Sequence, residues 1–181
     1  MPAEILTESG TLLLPPQEAL AHISSTNRFA RIVIDVLRKG AVFKDQKAEL
    51  TRHYNRSIRN FRDLLRFDCE VPIGDSDQTA HIAIVSERTP KESKSFPLTD
   101  GVVDFFLSPT KSAGFRGSHK LAQITTSPDK ISLPEFRFDL SSNFGKFATD
   151  FIARLAARLN EIREDISGDP TQTPLAEPNP S

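Results

Sequence analysis

The chain has one cysteine in 181 residues, no tryptophan, one tyrosine and one methionine. The lone Cys69 excludes an internal disulfide and any cysteine-based zinc cluster, and it fits a reducing compartment. It reads as a small apolar residue at the start of a strand rather than as a nucleophile. No stretch approaches the ~18 apolar residues of a membrane span. The opening MPAEILTESGTLLLPPQEAL lacks the basic region and long apolar core of a secretory signal. A cytoplasmic protein without membrane contact is the expectation. The sequence also lacks a phosphate-binding P-loop, a dinucleotide fingerprint and a serine elbow, and its four histidines are scattered, so no cofactor is expected. With a net charge of −1, global charge attracts no polyanion, and any anion-binding site has to be local.

What the chain does have is core material. Thirteen phenylalanines and 38% hydrophobic residues suit one domain large enough to bury a continuous core without a metal or disulfide. Residues 1–10 read as a flexible arm, 11–168 as a single domain, and the proline-rich 169–181 as a disordered tail. TLLL at Thr11–Leu14 suits a short edge strand or a hydrophobic staple. PPQEALAHI starts a helix over about 16–23, with proline tolerated in its first turn. Phe29, Ile32, Val33, Val36 and Leu37 follow the i, i+3, i+4, i+7, i+8 spacing of a buried face and predict a helix over about 27–39, with Gly40 at its end. Leu50, Tyr54, Ile58, Phe61 and Leu65 repeat that pattern more weakly and suggest a third helix over about 44–66, antiparallel to the second.

From Asp68 onward the period changes to two. TAHIAIVSE, GVVDFFLS and KLAQITTS alternate as half-buried strands, and the phase of the alternation slips at Pro134 between Ile131 and Leu140. An antiparallel sheet of four to six strands over about 69–140 follows. Phe144, Ala148, Phe151, Leu155, Leu159, Ile162 and Ile166 then form one stripe of a long amphipathic helix over about 143–166, capped by Ser142 or Asn143. The fold class is α+β. A curved sheet gripping a long C-terminal helix resembles ligand-cavity folds in outline, which licenses no function.

Charge is unevenly spread. TRHYNRSIRNFRDLLRF places Arg52, Arg56, Arg59, Arg62 and Arg66 within 15 residues, and on a helix the first three and Arg66 share an arc of about 80° with Arg62 at its margin. Such a face suits phosphates or carboxylates, which guanidinium groups grip in pairs of hydrogen bonds. The same residues equally suit a solvated face. A second basic segment, SPTKSAGFRGSHK, carries Lys111, Phe115, Arg116 and Lys120 without an acid. Its GFRG matches the GXXG spacing that KH domains place between two helices, but strand-like segments flank it here, which excludes that context. Phe115 remains suited to stacking on a base or filling a partner's pocket.

Three functions compete. The first is a non-enzymatic binding or adaptor module that engages DNA, RNA or an acidic protein through both basic segments. The second is a metal-dependent hydrolase or nuclease built on Asp75, Asp77, His81 and Glu87, whose carboxylates and imidazole suit a metal, or on Asp129, Glu135 and Arg137. The third is an assembly protein that pairs through its TLLL edge as a homo-oligomer. The sequence leans away from an enzyme.

Overall fold

The computed structural model describes residues 8–40, 42–74, 76–88, 102–109, 119–124, 133 and 135–167. In chain order the elements are β1 (Gly10–Leu14), α1 (Pro16–Thr26), α2 (Arg28–Gly40), β2 (Lys44–Asn55), β3 (Asn60–Pro72), β4 (Thr79–Arg88), β5 (Val102–Ser108), β6 (His119–Ile124) and α3 (Asn143–Ser167). The strands form one sheet in the order β1-β2-β3-β4-β5-β6, and every neighbouring pair is antiparallel. The architecture is α+β.

Period-2 alternation puts one face of this sheet against the helices. Leu50 lies opposite Leu65, and Phe67, Ile84 and Phe105 face one another in line across β3, β4 and β5. Each of these five side chains is at least 95% buried, which stabilises the fold by roughly 2–3 kcal/mol apiece. Leu20 and Ile23 of α1, Phe29, Val33 and Leu37 of α2, and Phe151 and Leu155 of α3 complete the same core. Phe105 and Phe151 mark the sheet–helix contact, their ring centroids 6.0 Å apart.

The helices start where the sequence supplies caps. Asn27 Oδ1 accepts a hydrogen bond from the Ala30 backbone N–H at 2.9 Å, which satisfies one of the free donors at the start of α2. At α3 the cap is Ser142, whose Oγ accepts from Gly145 N–H at 2.9 Å while its own hydroxyl donates to the Asp139 carbonyl at 2.8 Å. Gly145 has to be glycine. A Cβ there would sit 1.9 Å from the Asp139 carbonyl oxygen. Among the described residues, no helix is long and apolar enough to cross a membrane.

Two expectations need correction. Residues 44–66 are not a helix: they form β2, a four-residue turn and the first half of β3, so the sheet begins well before residue 69. The helix-like spacing of Leu50, Tyr54, Ile58, Phe61 and Leu65 is a coincidence of two strands read as one. In space Ala48, Leu50, Arg52 and Tyr54 line one side of β2, opposite Phe67, Leu65, Asp63 and Phe61 of β3. An ion pair stands in that row where an apolar pair would have revealed the strand period. The second correction concerns residues 135–139. Phe136 and Phe138 are half-buried against the core, and Glu135, Arg137 and Asp139 are exposed, but the segment belongs to no strand. Its aromatic rings instead pack on one another and on Phe144.

Candidate anion-binding surface

The five arginines of residues 52–66 do not share a face, and three of them are consumed by carboxylates. Arg52 and Asp63 are register partners on the helix-facing side of β2 and β3, each only 5% exposed. The guanidinium Nε donates to Asp63 Oδ1 at 2.5 Å and Nη2 to Oδ2 at 2.7 Å. These hydrogen bonds raise the Arg52 pKa against the lowering effect of burial. The Arg52 guanidinium also lies 5.7 Å from the centroid of the Phe61 ring.

Arg66 lies on the opposite face of the sheet. Its Nε and Nη2 grip Asp68, two residues along the same strand, at 2.7 and 2.8 Å. The buried His81 of β4 brings Nε2 to within 2.7 Å of Asp68 Oδ1. Burial disfavours the Asp68 carboxylate, yet the hydrogen bonds from His81 and Arg66 outweigh it and hold the pKa down at about 2. An ionised carboxylate only accepts, so His81 carries its proton on Nε2. Ser108 stands directly across from His81 on β5. Asp68, His81 and Ser108 are all buried, so the sheet face opposite the helices carries a buried polar cluster here. Arg62 is paired with Glu87 of β4.

Arg56 and Arg59 are different. They occupy the turn between β2 and β3, both exposed, with no ion pair among the described residues. Asn55 Oδ1 accepts from Ser57 N–H at 2.9 Å and starts the turn. Arg59 ends it with φ 54°, a left-handed conformation that glycine or asparagine usually occupies. β1 pairs with β2 only at residues 48–52 and β4 pairs with β3 only at 63–72, so residues 53–55 and 60–62 pair with each other alone among the described residues. At the end of the hairpin Tyr54 is 50% and Ile58 48% exposed, and Tyr54 meets Phe61 edge-on at 5.5 Å between ring centroids.

Of the second basic segment, Lys111, Phe115 and Arg116 lie outside the described residues. Lys120, on β6, sits 2.9 Å from Asp104 Oδ1. The metal reading gains no geometry. Asp75 and Asp129 lie outside the described residues, Asp77 is exposed in the β3–β4 connection, Glu87 is taken by Arg62 and His81 by Asp68. No group of three or more His, Cys, Asp or Glu able to hold a metal occurs among the described residues.

A basic helix face does exist, but on α2. Its exposed residues Arg28, Arg31, Asp35, Arg38 and Lys39 span an arc of about 100° opposite the buried set. The sequence contained the signal. Once Phe29, Ile32, Val33, Val36 and Leu37 define the inward side, the polar remainder of the helix is four cations and one acid.

No protein-family description, no curated protein and no solved structure matches this chain.

Proposed function

We propose that the chain is a non-enzymatic binding module that docks an acidic protein through the tip of the β2–β3 hairpin. The observation behind this reading is the composition of that tip: Arg56 and Arg59, without ion-pair partners among the described residues, flank a half-exposed Ile58, with Tyr54 beside them. An aromatic and an aliphatic side chain beside arginines make the kind of anchor that fills a partner's pocket while the guanidinium groups meet carboxylates at its rim. Two arginines are too few to track a nucleic-acid backbone with useful affinity, which favours protein over nucleic acid here. The base of the hairpin is preorganised by the buried Arg52–Asp63 pair and the Phe61 ring, so little ordering cost falls on binding. Arg59 adds a further hint, because a left-handed arginine costs roughly 1 kcal/mol that glycine would avoid.

The test is fluorescence anisotropy against acidic peptides carrying one leucine or phenylalanine among glutamates, with single-stranded DNA and RNA oligonucleotides alongside. Micromolar binding to the peptides, weakened tenfold or more by Arg56→Glu with Arg59→Glu and also by Ile58→Asp, is the expected result. Affinity unchanged in the charge-reversed variant, or binding of the oligonucleotides by this tip in place of the peptides, would overturn it.

A further inference from the structure

Helix α2 presents a surface of another kind. Its five exposed side chains between Arg28 and Lys39 are all charged, with no apolar group among them, whereas the hairpin tip mixes charge with Ile58 and Tyr54. A face without an apolar anchor is poorly suited to a protein pocket and well suited to a polyanion. The apolar side of α2 is already buried in the core, so this helix cannot insert into a lipid surface.

Helix stability accounts for Arg38 and Lys39, which complement the negative end of the helix dipole in the last turn, but not for Arg28 and Arg31. Arg28 and Arg31 stand in the first turn, where the positive end of the helix dipole disfavours them, and no acid accompanies them there. Neither arginine has an ion-pair partner among the described residues. At the other end, Lys39 is similarly unpaired, and Arg38 rests its guanidinium 5.5 Å from the Phe43 ring centroid with its charge still exposed. The cations therefore form two pairs, one at each end of the helix, separated by about 13 Å at 1.5 Å rise per residue. The major groove of B-form DNA is about 12 Å wide between its two phosphate walls.

We infer that the outward face of α2 lies across the major groove of a DNA duplex, with Arg28 and Arg31 on one phosphate backbone and Arg38 and Lys39 on the other. Asp35, midway between the pairs, then faces the groove, where a carboxylate can accept from a cytosine amino group instead of opposing a phosphate. The narrow major groove of an RNA duplex does not admit a helix in this way, so DNA is the preferred duplex. This surface is separate in chemistry and in residues from the hairpin tip, and the two readings stand or fall independently.

The experiment is a salt titration of the full chain against a labelled 24-base-pair DNA duplex. Four phosphate contacts give a log–log salt slope between about −3 and −4, or roughly a hundredfold loss of affinity from 50 to 200 mM salt. Arg28→Glu with Arg31→Glu is expected to weaken binding at least thirtyfold at 50 mM, and Arg38→Gln with Lys39→Gln at least fivefold. Arg56→Glu with Arg59→Glu leaves duplex binding unchanged. A duplex RNA of the same length binds at least tenfold more weakly. Lack of duplex binding by the wild-type chain at 50 mM salt would overturn the proposal. So would duplex binding indifferent to both α2 variants, or binding confined to phosphatidylserine vesicles.

Discussion

Helix α2 and the β2–β3 hairpin both carry closely spaced arginines, and they dispose of them in opposite ways. On α2 every cation points outward, because the apolar stripe claims the whole inward side, and none of the four forms an ion pair among the described residues. On the hairpin the strand period sends alternate residues to both faces of the sheet, so Arg52 faces inward, and Arg66 faces outward beside Asp68. Arginine in a strand is thus placed next to whatever its cross-strand and next-but-one neighbours are. Here those neighbours are acids. Density of arginine in sequence is therefore a poor guide to free positive charge: the helix with fewer arginines exposes more of it.

The largest test of this contrast is at Arg52. Replacing Asp63 with alanine strands a buried guanidinium and should cost about 3–5 kcal/mol in urea unfolding, whereas exchanging both for an apolar pair, Arg52→Met with Asp63→Leu, should be nearly neutral. Arg31→Ala on α2, by the same measurement, should change stability by less than about 0.5 kcal/mol. Equal losses at Arg52 and Arg31 would erase the distinction between consumed and free arginine.

Asp68 provides a second test, with a pH signature. Its folded pKa of about 2 lies below the ordinary carboxylate value of 3.8, so it contributes stability that is fully present above about pH 5 and is lost as pH falls through 2. The shift corresponds to about 2 kcal/mol. Between pH 5 and pH 2 the wild-type chain should therefore lose stability more steeply than Asp68→Asn, measured by urea midpoints at each pH. Parallel acid limbs in the two proteins would show that the Arg66–Asp68–His81 network does not hold the proton off Asp68.

The same physical contrast explains what could be read in advance. α2 and α3 were legible because their apolar residues alone define one face, and the sequence narrowed the α3 cap to Ser142 or Asn143, of which the structure uses Ser142. The alternation in β4 and β5 was equally plain. Residues 44–66 misled because Arg52 and Asp63 occupy core-facing positions, breaking the period of two, and because the turn at 56–59 contains neither glycine nor proline. A left-handed arginine does the work that a turn glycine would have advertised. The exposed tip was half legible: Arg56 and Arg59 are plain in the sequence as cations, but only the three-dimensional pairing separates them from Arg52, Arg62 and Arg66. The ion pairs that decide this join residues on different strands, and no local pattern encodes them.

The smallest expected effect is also the sharpest discriminator of what the α2 arginines are for. Arg28 opens the helix directly after the Asn27 cap, where a cation opposes the helix dipole and an anion favours it. Arg28→Glu should therefore stabilise the chain by about 0.5 kcal/mol, read as a rise of a degree or two in Tm. A chain made more stable by losing this arginine, and at the same time poorer at holding a DNA duplex, would show that the residue opposes the helix it begins and acts on something outside it. If Arg28→Glu instead lowers Tm, the arginine has a structural partner, and α2 joins the hairpin base as a place where positive charge serves the fold.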